Sequence, residues 1–427
     1  MQLMNLPVNN VVAKQTGGLP AAAPVLHCEI ARDPRQVLAL QEAWQRLQGQ
    51  GGRDNQGFQT LQWNLAWMNA FLGADAGDSV RFEPCVVLVR DGHDGTPLLL
   101  WPLMRESYPL GMSVISSMSD PFAQYGDVIT TLSGTELQAA LELALQTLKQ
   151  EQADLVRLRF VREDAAIAPF LQQHFMKSCE DCAAPWLDLT GFASPEELDK
   201  RFNRKQRRRR RKIRKKIRQQ LGAEPTLRLM QGVAEIRAAI GVILDCKRQW
   251  LKHKGLVSRA LFDGHTEAFL LALAEAMPPW TADAGADDAT PRLVLSVMEA
   301  QGRQLSWEIG FRYRGRHYAY ITAHLPELTH LSLGRLHMDL LQKRTWQDGM
   351  RVYDLLVPDA PHKRTWSSHK TPVSGYYLPL SRRGRLLGQA YLNHLRPFMR
   401  KVYHRMPPQL RRMLRLSDMM EHEHSAH

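Results

Sequence analysis

The segment that most limits what this chain can become runs from Arg292 to Leu325. It reads as three strands in immediate succession, RLVLSVMEA, QLSWEIGFRYRG and HYAYITAHL, joined by the turns QGRQ and RGRH, and connections that short make sequence neighbours into sheet neighbours. A helix, LSLGRLHMDLLQKRTWQDG with Gly at its end, then carries the chain to a further strand, RVYDLLV. The same order occurs earlier. VVLVR and PLLLWPLM flank the turn DGHDGT, followed by a strand near Ser113–Met118, a helix through Leu137–Leu148 and the strand LVRLRF at 155–160. A short helix at Ala165–Phe175 and the strand PWLDL at 185–189 close that unit. Two helices precede it: one opens at Asp33 and Pro34 with Leu40, Trp44 and Leu47 at helical spacing, the other sets Trp63, Trp67, Ala70 and Phe71 on one face and stops at Gly73. The second half begins with helical Glu196–Leu221, the strand TLRLM, and helices at Val233–Leu251 and Thr266–Met277. The pattern predicts an α/β fold of two tandem lobes, each a mixed sheet flanked by helices, and repeats in element order but not in residue identity.

With 44% hydrophobic residues in 427, the chain has material for more than one core, which excludes a disordered or fibrous protein. Five scattered cysteines exclude a disulfide scaffold and fit the reducing cytoplasm. The N-terminus lacks a basic region ahead of an apolar run, and the longest apolar stretch, Leu98–Met104, is too short to span a bilayer. The expected divisions are a flexible 1–25, a first lobe over 26–192, a basic linking helix over 193–222, a second lobe over 223–380, and basic amphipathic helices with a His-containing tail over 381–427.

The net charge of +13 is concentrated. Residues 200–218 hold fourteen Lys or Arg and 380–417 hold ten more, with no acid in either, so the remainder is net acidic. Ile213, Ile217 and Leu221 make a narrow apolar stripe on the first element. Arg207, Arg208, Arg209, Arg210 and Arg211 are consecutive, point all around a helix, and suit a polyanion. The second element lines up Leu387, Tyr391, Leu395, Phe398, Val402 and Met406 opposite arginines, a pattern for docking on its own lobe or on an anionic membrane surface. Cys179, Cys182, His174 and the tail EHEHSAH lack a second ligand pair at suitable spacing, so no metal is expected.

A strand running into a Gly-containing turn at a helix N-terminus aims free N–H groups outward, a place for pyrophosphate or another anion. Tyr318–Asp339 has that form, with Ser332, Gly334 and Arg335 in LSLGRL as the candidate contacts. Glu308 sits between Trp307 and Ile309, where a carboxylate must be paired or functional. Alternation places Tyr318, Tyr320, Thr322 and His324 on one face of their strand.

The pieces FQTLQWNLAWMNAF, FNRKQRRRRRKIRKKIRQQLG, CKRQWLKHKG, GFRYRGRHYAYITAHLPELTHLSLGRL and VYDLLVPDAPHKRTW, in that order, resemble the bacterial CelD-like family with its BioF2-like acetyltransferase domain of the GNAT superfamily, and more distantly the FemABX aminoacyltransferases. The resemblance covers most of the chain. It implies two GNAT-like lobes, a donor site for acetyl-CoA or another acyl-CoA in the second, and no metal. Leu325 and Leu333 depart from the Asp and Pro usual in the family's loop. The resemblance places Lys363 on the Lys of a YK-x-x-W-like pattern, with Tyr353 and Trp366 beside it at the acceptor substrate and His362 in place of the Tyr. Acyl transfer needs a proton acceptor and a proton donor; the candidates are Glu308, Asp354, Tyr320 and His324. The expected activity is transfer of an acyl group to an amine or hydroxyl of a polysaccharide precursor or related metabolite, linked by the resemblance to cellulose or exopolysaccharide synthesis. Two alternatives stand beside it: an aminoacyl-tRNA-dependent transferase and a non-catalytic adaptor for polyanions or a synthase.

Overall fold

The computed structural model describes residues 25–72, 81–108, 111–179, 182–256, 258–281 and 288–406. The segment 1–24, the helix stop at Gly73 and the tail EHEHSAH lie outside them. The first half opens with β1 (Leu26–Ala31), α1 (Pro34–Ala39), α2 (Gln41–Gly51) and α3 (Leu61–Phe71). The Asp33 side chain caps α1 by accepting the N–H groups of Arg35 and Gln36, with Pro34 in the first turn. Next come β2 (Arg81–Pro84), β3 (Val86–Asp91), β4 (Pro97–Trp101), β5 (Leu103–Tyr108), β6 (Met112–Ser117), β7 (Ile129–Thr130) and α4 (Gly134–Leu148). The half ends with β8 (Leu155–Arg162), α5 (Ala168–His174), β9 (Met176–Lys177) and β10 (Cys182–Asp188).

The second half holds α6 (Pro195–Lys200), α7 (Arg204–Leu221), β11 (Thr226–Leu229), α8 (Val233–Lys254), α9 (Arg259–Phe262) and α10 (Thr266–Ala276). The three successive strands are β12 (Arg292–Ala300), β13 (Arg303–Tyr313) and β14 (Arg316–His324). After them run α11 (Leu333–Gln347), β15 (Val352–Asp354), β16 (His369–Pro379), α12 (Arg382–Leu386), a π-helical stretch Leu387–Leu395 and α13 (Arg396–Arg405). The helix expected as one piece over Glu196–Leu221 is two. Asn203 starts the second by accepting the N–H of Gln206, whose side chain bonds back to the Asn203 N–H, a reciprocal cap that ends one helix and starts the next.

The sheets take the form of two lobes laced together. A small sheet has the order β1-β3-β4-β7, and a large one runs β11-β12-β13-β14-β15-β10-β16-β8-β6-β5-β2, with β9 beside β16. Among the described strands each half has one parallel pair, β6 with β8 and β14 with β15, bridged by α4 and α11 respectively, as a parallel connection requires. The outer edges of β8 and β15 are then filled by exchange. PWLDL does not close the first half's sheet as expected: β10 pairs with β15 of the second half, β16 pairs with β8 of the first, and β10 and β16 pair with each other. Unpaired edges are satisfied this way without exposing either one.

The core crosses between halves as well. Trp63 on α3 lies 5.2 Å from the Phe269 ring on α10 and 5.4 Å from Phe311 on β13. No described helix is long and apolar enough to cross a membrane.

Candidate active site

The site begins with an irregularity in β14. Ile309 pairs with Ile321 but Gly310 pairs with Ala319, leaving Tyr320 as an extra residue. A bulge of this kind reverses the alternation beyond it. Tyr318 and Tyr320 are therefore not on the face of Thr322 and His324, as simple alternation predicts. They point to the interlobe core, where the Tyr320 hydroxyl donates to the Phe122 carbonyl at 3.1 Å and Tyr318 stacks on Phe311 at 4.4 Å. The same shift brings His317 under Glu308, with Nε2 2.9 Å from Oε1.

A second irregularity opens the sheet. Only Arg316, His317 and Tyr318 of β14 pair with β15, so Ala319–His324 part from it and expose backbone N–H and C=O groups toward a gap. A cavity of about 550 Å³ occupies the gap, within the ordinary range for a small-molecule site. Thr322, Ala323 and His324 form one wall, while Ala360, Pro361, His362 and Trp366 form the other. Ser332, Gly334 and Arg335 at the N-terminus of α11 close one end. The first turn of α11 contains no acid, so its positive end is not neutralised within the helix. A Cβ built on Gly334 meets nothing within 4 Å; it projects into open space, and the glycine leaves room for a ligand to approach the backbone.

Two titratable groups reach the cavity from opposite sides of the sheet. Lys247 stands on α8, between Ile243 and Leu251 of the apolar face that packs on Trp307 and Ala323. It is 5% exposed, its Nζ is 4.9 Å from the Trp250 ring centroid, and it carries no hydrogen bond or ion pair to the described residues. Burial, and secondarily the nearby Lys363, pull its pKa down to about 7. Glu308 comes from the other face. Tyr353 donates to its oxygens at 2.9 and 3.1 Å, and burial outweighs the lowering effects of Tyr353 and Arg312, pushing its carboxyl up to about 8. Burial thus favours the uncharged form of both groups, a protonated carboxyl and a neutral amine. His337 completes that face: its ring bridges Ser296 and Ser306 at 2.8 Å each, and burial brings it down to about 3, so it stays uncharged.

The other anticipated residues divide between walls and bracing. His324 lines the cavity, 3.2 Å from the Thr329 hydroxyl, and burial and then Lys247 lower its pKa. Trp366 lines it too and packs edge-on against Phe202 at 5.3 Å. Tyr353 acts through Glu308. Asp354 does not line the cavity: it accepts Tyr125 Oη and Leu356 N at 2.8 Å each and pairs with Arg316 at 3.0 Å and Arg162 at 3.5 Å. Lys363 is likewise behind the wall, where Nζ donates to the carbonyls of Leu356 and Val357 at 3.1 and 3.2 Å. Asp354 and Lys363 thus brace the loop that forms the far wall.

Of the arginine run, Arg210 is turned inward to Asp339 and Asp199 and lies 4.0 Å over the Phe202 ring. Arg207, Arg208, Arg209 and Arg211 are exposed. Arg209 sits near enough to Arg335 to help burial depress the latter's pKa, which extends the positive end of the cavity onto α7.

Lys247, His337 and Trp307 were not anticipated from the sequence. CKRQWLKHKG announced a basic helix end, but nothing in it marks Lys247 as the inward lysine except its spacing from Ile243 and Leu251. Cys179 donates its thiol to the Leu392 carbonyl at 3.2 Å, and the described residues contain no group of three or more His, Cys, Asp or Glu placed to hold a metal.

Residues 207–364 match the family model described as an acetyltransferase (GNAT) domain, a span that includes every cavity residue from Lys247 to His362. Over these residues the second lobe is similar to GNAT acetyltransferase domains. Among solved structures, the chain is similar to FemX at 11% identity and a TM-score of 0.52, covering 83% of this chain and 98% of that one; at that identity the likeness is one of fold. It is also similar to a tandem GNAT protein from the clavulanic acid biosynthesis pathway at 11% identity, a TM-score of 0.41, and coverage of 83% and 99%. No curated protein matches the chain.

Proposed function

We propose that the protein transfers an acyl group from acyl-CoA to an amine or hydroxyl of a small polar acceptor, a saccharide precursor or related metabolite, in the cytoplasm. The observation that carries this reading is the cavity where β14 parts from β15, with an uncompensated helix N-terminus at one end and two titratable groups of inverted protonation on its sides. The free edge of Ala319–His324 suits an extended, amide-bearing donor arm that adds to the sheet. Leu333–Arg335 with Arg335 suit its phosphates.

In this mechanism the acceptor nitrogen or oxygen attacks the thioester carbonyl carbon, and the bond to sulfur breaks. Neutral Lys247 takes the acceptor's proton. The protonated Glu308 carboxyl supplies one to the departing thiolate, and exchange with water restores both groups. A pair pushed in opposite directions by one environment assigns base and acid, and positioning by the cavity walls supplies the rest. Asp354 and Lys363 then position a wall and are not reacting groups. The test is calorimetric titration with acetyl-CoA: binding by the parent chain that Gly334→Val weakens about tenfold or more supports the site, and equal binding by a folded Gly334→Val chain overturns it.

A second reading has the acyl group delivered on tRNA, with the outward arginines of α7 as its platform. Arg209 beside Arg335 favours it, because basic surface and cavity are then continuous. Titration with aminoacyl-tRNA in place of acetyl-CoA separates the two.

A further inference from the structure

The C-terminal helices expected to present one continuous apolar face present two. Leu387, Tyr391 and Leu392 pack inward with Tyr377, Val114 and Leu155, and Asn393 donates to the Tyr377 hydroxyl at 2.9 Å. That docking is made by the π-helical stretch Leu387–Leu395. A wider turn changes the angular phase of the residues that follow, so the stripe continuing into α13 leaves the protein surface. Leu395, Phe398 and Val402, at helical spacings of three and four, are 51, 65 and 38% exposed. Exposed Lys401 and Arg405 run along the same side, while Arg396 points back into the body at 6% exposure. From Leu380 to Met406 the chain contains seven Lys or Arg and no Asp or Glu, and Arg382, Arg383 and Arg385 on the adjoining α12 are exposed.

We infer that this face of α13 docks the enzyme on the surface of an anionic lipid bilayer, with Leu395, Phe398 and Val402 entering the headgroup boundary and Lys401 and Arg405 meeting lipid phosphates. The charge decides the occupant. A second copy packed two-fold on this face would bring another acid-free basic helix against the first, and like charges across an interface repel. An anionic bilayer supplies both the opposite charge and an apolar layer deep enough for Phe398. The inference is independent of the chemistry at the cavity, because none of these residues lines it.

The experiment is co-sedimentation of the full chain with phosphatidylcholine vesicles, with and without phosphatidylglycerol, across a salt series. Binding is expected to the phosphatidylglycerol vesicles alone and to weaken as salt rises. The triple change Leu395→Asp, Phe398→Asp and Val402→Asp should reduce partitioning by about tenfold or more, and Lys401→Gln with Arg405→Gln by less. Because α7 is also basic, the set Arg207→Gln, Arg208→Gln, Arg209→Gln and Arg211→Gln is measured beside them and should retain most of the binding. The inference is overturned if the triple variant sediments like the parent, if the α7 set alone removes binding, or if the parent is a dimer that the triple change converts to a monomer. Unchanged melting temperatures ensure that each result reports on the surface.

Discussion

The two halves make the same topological junction and use it differently. Each has a strand that ends, a connection, a helix and a parallel return strand: β6, α4 and β8 in the first, β14, α11 and β15 in the second. In the first half the connection is long and inward, with Phe122, Tyr125 and Asp127 all 5% exposed or less. Asp127 accepts backbone N–H groups of Val128, Ala166 and Ile167 and the side chain of Gln56, and Asp120 pairs with Arg159 at 2.7 Å. The first turn of α4 has its own acid, Glu136. In the second half the connection is short, the first turn of α11 has no acid, and the cavity remains. An open junction, more than the fold itself, distinguishes the lobe that can hold a ligand.

The strongest way to break the filled junction is through the residue that ties it to the second half. Tyr125 is bonded to Asp354, which pairs with Arg162 and Arg316 at 0–6% side-chain exposure. Asp354→Asn removes the buried anion that the two arginines share and leaves each with one partly exposed partner, Asp164 for Arg162 and Asp54 for Arg316, so it should cost about 1.5–3 kcal/mol, read as a lower denaturation midpoint. Turnover at low temperature should survive in the folded fraction; a stable but inactive Asp354→Asn chain would return Asp354 to the chemistry.

The open junction responds in the opposite sense. Lys247→Met should lower kcat about a hundredfold or more with donor affinity little changed. It should also stabilise the protein at neutral pH. The folded-state pKa of about 7 lies below the unfolded value, so the folded state holds fewer protons between the two, and the charge penalty grows as pH falls from the unfolded pKa to about 7. Removing the amine relieves that penalty, on the order of a few kcal/mol. The parent's kcat/KM should rise through about 7 as Lys247 loses its proton and fall through about 8 as Glu308 loses its own. A profile without the acid limb in Lys247→Met supports the assignment, and an identical profile removes it.

Glycines at the two helix starts sharpen the comparison further. Gly334→Val should weaken acetyl-CoA binding about tenfold or more while the chain stays folded, since the added carbons enter open space. Gly134 has a φ of +54°. Gly134→Val should therefore cost about 1–2 kcal/mol of stability and leave donor binding unchanged. Donor binding lost equally at both positions would place a ligand in the first half as well.

Much of this was legible beforehand. The three strands, the turn at Gly334 and the isolation of Glu308 follow from alternation and turn chemistry. Three features were not. The bulge at Tyr320 is one extra residue in a strand that alternates acceptably without it, so Tyr318 and Tyr320 read onto the wrong face. The exchange of β10 and β16 is a choice between equally good strand partners that only the whole sheet decides. Lys247 looks like any lysine on a basic helix, and its burial depends on β14, which begins far later in the chain, at Arg316.

The smallest expected effect concerns α7, where one run of arginines divides by role. Arg210 and Arg214 both reach Asp339, whose side chain is 4% exposed, so they hold α7 to α11 and are already neutralised. The exposed Arg207, Arg208, Arg209 and Arg211 have no such anion among the described residues, and like charges this close oppose the helix they stand on. Replacing those four with Gln should leave the melting temperature unchanged or slightly higher, weaken retention on heparin, and flatten the salt dependence of any RNA binding. Arg210→Gln, with the same change in side-chain type, should do the reverse: retention stays and stability falls, because Asp339 keeps only Arg214. If acetyl-CoA affinity also drops in the fourfold variant, Arg209 belongs to the donor site through Arg335; if it does not, the outward face of α7 serves a separate polyanion and the cavity ends at α11.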